Sequence, residues 1–242
     1  MTALLDVAGV TVRFGGLTAL SDVTFNVQSG EIVGLIGPNG AGKTTLFNSL
    51  AGLTRPTEGR IVFGGAQMKG LRPHRIARHG MTKTFQNTAL FPGMSLRDNV
   101  VIGALCRASL KDARGIADEC LAKVGLLKDA DSDVDDLTFP QKALGEVARA
   151  LATGPKLVLL DEVMAALTPT EMTAIMASLR ALRDRDGITL MIVEHHMRAI
   201  MELSERILVL NFGKLIANGT PQQVSADPQV IAAYLGSSHA AH

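Results

Sequence analysis

The chain predicts an α/β fold: a largely parallel sheet, an antiparallel β subdomain near its start, and a helical subdomain inserted between two halves of the core. Three observations carry this. Short β-branched or aromatic runs bounded by Gly, Asn or Ser recur through residues 1–64. Residues 88–154, approximately, turn to helical apolar spacing. From residue 156 onward, fully apolar strand-like runs alternate with helix-like ones, the pattern of a parallel sheet covered on both faces.

In chain order, strands are expected at 7–14, 23–27, 31–36 and 60–63, with a helix at 43–50 between the last two. Helices follow at 95–104 and 111–124, and Leu144, Val147, Ala148 and Leu151 form an i, i+3, i+4, i+7 stripe for a third. The acidic stretch 129–136 reads as a solvated loop. An apolar run at 157–160 ends in Asp161-Glu162. Thr168 is the N-cap of a helix opening on Pro169, the position proline tolerates best. A strand at 188–193, a helix from about His195 and a strand at 206–210 complete the pattern. The expected organisation is one domain over 1–236, with core segments 1–87 and 155–236, the helical subdomain at about 88–154, and a flexible tail at 237–242.

Composition removes several function classes. The 242 residues carry 24 basic and 23 acidic side chains, a formal charge of +1. That balance gives no electrostatic case for nucleic acid or an anionic membrane surface. Eight Phe, one Tyr and no Trp are too few for a base-stacking platform. Two cysteines, Cys106 and Cys120, suit a reducing compartment without a disulfide framework. The opening residues read as a strand rather than a signal peptide, and no stretch approaches the apolar length of a membrane span. A cytoplasmic protein is expected, attached to any membrane through a partner.

The chemistry sits in three places. Gly37-Pro38-Asn39-Gly40-Ala41-Gly42-Lys43-Thr44 follows an apolar strand and opens a helix that continues with Thr45. Glycines there let backbone N–H groups converge on phosphate oxygens, and the helix N-terminus adds unpaired donors. Lys43 brings a charge to the β- and γ-phosphates of ATP, and the Thr44 hydroxyl is placed for Mg²⁺. Asp161, leaving a buried strand at its C-terminal end, is a second Mg²⁺ ligand, and Glu162 a general base for water. Alone, such a carboxylate pair is usually structural; beside the phosphate loop its meaning changes. His195, after another apolar strand, is placed to meet the γ-phosphate. The adjacent His196 makes no metal pair with it on a helix, and Met191, Met197 and Met201 read as core filling.

With these motifs in this order the chain resembles the ATP-binding subunits of ABC transporters over essentially its whole length, a P-loop NTPase core with a helical insertion. The resemblance implies that Phe14 stacks on adenine, and that Thr84-Phe85-Gln86-Asn87 is the glutamine loop, with Gln86 contacting Mg²⁺ and the attacking water. It implies catalytic roles for Lys43, Gln86, Glu162 and His195, and nucleotide contacts at Phe14, Gly37, Pro38, Asn39, Gly40, Ala41, Gly42, Lys43, Thr44 and Thr45. Residues 84–92, 161–165, 193–197, 210–214 and 233–236 look like the branched-chain amino-acid importer branch. Such subunits pair head to tail, as heterodimers or homodimers, drive transmembrane permease subunits from the inner face of the membrane, and are served by a solute-binding protein.

The resemblance breaks at one motif. Where the family reads Leu-Ser-Gly-Gly-Gln, this chain has Leu137-Thr138-Phe139-Pro140-Gln141. Pro140 has no N–H to offer a phosphate and Phe139 adds bulk. Gly145 within the following helix is expected to cost about 1 kcal/mol against Ala. Ala166-Leu167-Thr168 also departs from the family. These departures predict an asymmetric pair, in which this chain's own phosphate loop works and its signature half works poorly. They also keep open an alternative, a nucleotide-binding regulatory subunit with weak turnover.

Overall fold

In the computed structural model, residues 3–84, 89–165 and 167–237 are described. The chain runs β1 (Leu5–Phe14), β2 (Leu17–Val27), β3 (Ile32–Ile36), α1 (Lys43–Leu50), β4 (Glu58–Phe63), β5 (Ala66–Gln67), α2 (Pro73–His79) and β6 (Met81–Lys83). Next come α3 (Leu96–Ala104), α4 (Leu110–Lys123) and α5 (Phe139–Ala152). Then follow β7 (Leu157–Asp161), α6 (Pro169–Asp186), β8 (Thr189–Val193), α7 (Met197–Leu203), β9 (Arg206–Asn211), β10 (Lys214–Gly219), α8 (Pro221–Ser225) and α9 (Pro228–Ser237).

Two sheets result. The antiparallel one has the order β2-β1-β4-β5, and the other β10-β9-β3-β8-β7-β6, parallel except for the β9–β10 hairpin. Strand alternation explains why the central strands are apolar throughout. Val33, Leu35, Leu157, Leu159, Met191, Val193, Leu208 and Leu210 point into one core, shared with the antiparallel sheet and with Leu46, Phe47 and Leu50 of α1. Their neighbours Ile32, Ile36, Val158, Leu160, Leu190, Ile192, Ile207 and Val209 point into a second core, filled by helices α3 to α7. Each strand buries both faces, so neither face tolerates a polar residue away from the strand ends.

Helices α3, α4 and α5 pack on one another. Ser95 and Ser109 cap α3 and α4 by accepting from the backbone N–H of Asp98 and Asp112. Gly145 lies where α5 meets α3: a Cβ there would stand 2.7 Å from Leu96 Cδ1 and 3.2 Å from Leu90 Cδ1. Its lack of a side chain therefore serves packing, a benefit that helix propensity alone does not register. Cys120 is buried on α4, and burial pushes its thiol up to about 11, so it acts as an inert small hydrophobe.

The acidic stretch joins α4 to α5 with Asp131, Asp135 and Asp136 exposed, as expected of a solvated loop, but it is more ordered than that. It contains short 3₁₀ turns at Leu127–Asp129 and Val134–Asp136, with Ala130 and Val134 buried. Its carbonyls at Ser132 and Ala130 accept from Leu96 and Arg97, the first N–H groups of α3, which have no partner within the helix. Arg97 in turn bonds Asp118 at 2.6 Å and pairs with Asp131. The helix expected from about His195 starts at Met197, with His196 as its N-cap. The elements β5, β6 and α8, of two, three and five residues, are too short to show a period, and α2, β10 and α9 are not among the elements expected from the sequence either.

Candidate functional site

The C-terminal ends of β3, β7 and β8 converge, and each delivers one of the expected groups. After β3 the phosphate loop turns back against the sheet. At Gly37 (φ 153°) a Cβ would stand 2.1 Å from the Leu210 carbonyl oxygen, so only glycine fits. Gly42 (φ 105°) caps α1 in a left-handed conformation, pressed against the Ala19 carbonyl. The loop's backbone is thus wedged between β9 and β2 before any ligand is considered.

Lys43 opens α1 and is largely buried. Its Nζ donates to the carbonyls of Gly37 at 2.7 Å and Pro38 at 3.1 Å. Burial pushes its pKa down, opposed by the carboxylates of Glu162 and Asp161. A cavity of about 590 Å³ opens over the loop, lined by Phe14, Asn39 to Thr45, Glu162 and His195, and by Leu17 and Phe212 at its rim. The expected Phe14, Asn39, Gly40, Ala41, Gly42, Lys43, Thr44, Thr45, Glu162 and His195 therefore share one cavity. Gly37 and Pro38 sit beneath it as acceptors for Lys43. Gln86 lies outside the described residues, as do its neighbours 85, 87 and 88.

Glu162 follows β7 with φ 57°, a left-handed backbone in which a non-glycine residue is strained. Its N–H donates to the Val193 carbonyl at 2.9 Å, anchoring it to β8. Its Oε1 lies 2.8 Å from His195 Nε2. Strain, anchor and imidazole together aim the carboxylate into the cavity. Asp161, by contrast, is 1% exposed and does not line the cavity; its Oδ2 sits 2.8 Å from Lys83 Nζ at the end of β6. Among the described residues no group of three His, Cys, Asp or Glu gathers to hold a metal. Thr44 and Asp161 offer only hard oxygen donors, the kind Mg²⁺ takes, and Mg²⁺ in nucleotide sites completes its shell with phosphate and water. The residues fit that ion.

Several contributors escaped the sequence. Phe212 and Gly213 both have positive φ and form the tight turn between β9 and β10, which holds Phe212 out beside the cavity, 85% exposed. The Tyr234 hydroxyl on α9 accepts from the Gly37 backbone N–H, so the chain's last helix touches its first phosphate-loop glycine. Glu146 on α5 accepts from the Ala89 N–H, while Arg149 donates to the Ala89 carbonyl at 2.7 Å and lies over the Phe91 ring. These ties fasten α5 to the chain three residues beyond Gln86. The signature stretch starts α5: Gln141 Oε1 accepts from both the N–H and the hydroxyl of Thr138, each at 2.9 Å, and Phe139 is 44% exposed.

A glycine-wedged phosphate loop at a helix start, with a strained carboxylate and a histidine from neighbouring strands, defines a P-loop nucleotide hydrolase. Its insertion of α3 to α5 narrows the class, and the chain belongs to the ABC transporter family, which it matches over residues 20–165. Residues 214–240 match the family described as branched-chain amino acid ATP-binding cassette transporter. The chain is 38% identical to the high-affinity branched-chain amino acid transport ATP-binding proteins BraF of Pseudomonas aeruginosa and LivG of Escherichia coli K12, covering 96% of this chain and 98% of each relative. It is 35% identical to the lipopolysaccharide export ATP-binding protein LptB of Haemophilus influenzae, over 97% and 98%. Among solved structures it resembles a nucleotide-free ATP-binding cassette (TM-score 0.89, 27% identity, 96% and 99% covered). It also resembles the ADP conformation of the cassette MJ1267 (0.89, 28%, 98% and 100%) and the dimeric cassette MJ0796 (0.79, 28%, 90% and 98%). It is an ABC-type ATPase, and the regulatory alternative finds no support among these relatives.

Proposed function

We propose that this chain is the ATP-hydrolysing subunit of an importer for branched-chain amino acids or a related small polar solute. The observation that carries the proposal is the shared cavity of the phosphate loop, Glu162 and His195, in a chain whose C-terminal residues 214–240 match the branched-chain amino acid cassette family. LptB, a lipopolysaccharide exporter subunit, shares the same scaffold, so the solute assignment rests on that C-terminal match.

The chemistry follows from the groups present. The converging N–H groups of the loop and the Lys43 ammonium receive the β- and γ-phosphates, and Phe14 stacks on the base. Nucleotide draws Lys43 away from the Gly37 and Pro38 carbonyls it now holds. Glu162 orients water in line with the γ-phosphate and takes its proton, and His195, hydrogen-bonded to Glu162, turns its ring toward the developing charge. Thr44, Gln86 and Asp161 would hold Mg²⁺, which when bound would supply neutralising charge to the phosphate oxygens.

The chain divides into a nucleotide core (1–87 and 155–236), a helical subdomain (about 88–154) and a tail (237–242). Between β6 and the helices α3 and α5 lies a cavity of about 450 Å³, lined by Thr82, Ala89, Phe91, Ile102, Arg149 and Thr153 among others. Its exposed Phe91 and Ile102 make it the seat for a transmembrane permease subunit, next to the segment that carries Gln86. No helix among the described residues is long and apolar enough to cross a membrane, so attachment at the inner face runs through that permease. A second cassette subunit, a different chain or another copy, completes the motor, and a solute-binding protein feeds it.

The test is Mg²⁺-dependent ATP hydrolysis by the purified chain, alone and mixed with its cassette partner, with Glu162→Gln as control. Turnover in the mixture that Glu162→Gln abolishes is expected. Nucleotide binding without turnover in either setting would overturn the proposal.

A further inference from the structure

Glu194 is a charged residue that the hydrolytic chemistry above does not use, yet it sits between the two residues that chemistry needs. It directly follows β8, immediately before His195, and is 2% exposed. Its Oε1 accepts from the backbone N–H of Met164 at 2.6 Å. Met164 lies two residues beyond Glu162, in the turn leaving β7. The other oxygen, Oε2, is buried without a hydrogen-bond partner among the described residues. Burial pushes this carboxyl up to about 7, opposed first by the Met164 N–H, raised further by the Glu162 charge, opposed again by the His195 N–H, and raised slightly by Asp161.

A carboxylate this costly to bury needs a reason. The turn after β7 holds Glu162 in a strained left-handed conformation, and strain persists only where surrounding contacts over-determine it. Among the described residues, three hydrogen bonds tie the end of β8 and the two residues after it to that turn. The Val193 carbonyl takes the Glu162 N–H, the Glu194 side chain takes the Met164 N–H, and the His195 ring meets the Glu162 carboxylate. They come from three successive residues of one strand end. Of the three, the Glu194 tie is the one that reaches the far side of the turn; without it the hydrogen bonds from this strand end hold the turn at Glu162, the far side keeps its packing of Val163 and Met164 in the core, and the Met164 N–H loses its buried acceptor.

We propose that Glu194 is a positioning residue for ATP hydrolysis: its side chain clamps the turn that carries Glu162 to the strand end that carries His195, and so sets the geometry of the Glu162–His195 pair. This rests on the hydrolytic roles given to those two residues. Glu194 touches neither nucleotide nor water in this scheme, since it does not line the nucleotide cavity. The proposal therefore separates binding from turnover, which a general loss of structure does not.

The experiment compares the full-length chain, assembled with its transport partners, as wild type, Glu194→Leu and Glu194→Gln. Steady-state ATPase kinetics are read beside equilibrium binding of a fluorescent ATP analogue and thermal unfolding. Leucine fills the volume without an acceptor; glutamine keeps an oxygen for the Met164 N–H. Glu194→Leu is expected to lower kcat at least about tenfold while KM and analogue affinity move less than about twofold. Glu194→Gln is expected to recover kcat to within about threefold of wild type. Should the leucine variant not fold, Glu194→Ala replaces it with the same expectation. A truncated variant that turns over like wild type overturns the proposal. So does one whose analogue binding and unfolding temperature fall in step with kcat, or a glutamine variant as impaired as the truncation. If wild type itself shows no Mg²⁺-dependent turnover, it is the ATPase reading that fails, an outcome distinct from these.

Discussion

At the scale of single residues, the cavity separates a group that reacts from groups that hold it. Glu162 is aimed by its backbone, with φ 57° and an N–H fixed to Val193, and its carboxylate is met by His195. Glu162→Gln keeps the shape and the partner but cannot accept a proton. It is expected to lower kcat by about two to three orders of magnitude while leaving nucleotide affinity nearly unchanged. Single-turnover kinetics and analogue binding, measured on one preparation, check this. Glu194 gives a second prediction, on stability. Its carboxyl titrates higher in the folded chain, about 7 against an ordinary 4.5, because burial favours the neutral form. A raised folded-state value stabilises most below the unfolded value and loses that contribution as pH rises through the folded one. Urea unfolding should therefore show a contribution that fades between about pH 4.5 and 7, on the order of 3 kcal/mol in all. In Glu194→Gln that component of the pH slope should be absent.

At the scale of elements, α5 shows how one helix serves packing and communication together. Val147, Ala148 and Leu151 face the core, as their spacing requires, while Glu146 and Arg149 reach across to residue 89. Gly145→Ala tests which of two opposing effects wins. Helix propensity favours alanine by about 1 kcal/mol. The added Cβ would press on Leu96 at 2.7 Å and Leu90 at 3.2 Å, and overpacking typically costs about 1–3 kcal/mol. Net destabilisation of about 1 kcal/mol is expected, read as a lower urea midpoint; a gain would mean the leucines yield freely. The same helix marks the limit of what the sequence makes legible. Apolar spacing located α5, and a glycine-rich loop between a strand and a helix located the phosphate site, because both are written in adjacent residues. Residue contacts across long separations have no such local mark. Lys83 on Asp161 and Tyr234 on Gly37 join residues 78 and 197 positions apart, Phe212 and Phe14 come to line one cavity from 198 positions apart, and all three emerge only once the sheets are assembled. The acidic stretch is half legible for a related reason: its charges are exposed, as they read, but its backbone carbonyls serve α3, which no local pattern marks.

At the scale of the whole molecule, the departure at 137–141 bears on how two cassettes would share work. The resemblance to ABC cassettes implies a head-to-tail pair, in which the start of α5 from one subunit would face the γ-phosphate held by the other. Here that start is Thr138-Phe139-Pro140-Gln141, which makes a good helix N-terminus. Thr138 and Gln141 bond each other, and Pro140 lies in the first turn, where its missing N–H leaves no gap in the helix. Phosphate recognition needs the opposite: free N–H groups and no bulk, whereas Phe139 stands 44% exposed. The sequence of this segment therefore favours helix integrity over phosphate contact. The composite site that uses this chain's phosphate loop with a partner's signature should turn over well, and the site using this chain's signature poorly. Replacing Phe139 and Pro140 together by glycine should raise turnover of the assembled complex toward about twofold, because one site already works, and at least about threefold where Glu162→Gln silences this chain's own phosphate-loop site, since one donor to developing charge is commonly worth far more than that. Glycine also weakens a helix start, so thermal unfolding must be read beside turnover to separate the two effects. Unchanged turnover in a variant that melts like wild type would mean the segment never meets a phosphate productively. A gain that persists in complexes in which Glu162→Gln silences this chain's own phosphate-loop site would assign the improvement to the opposite one.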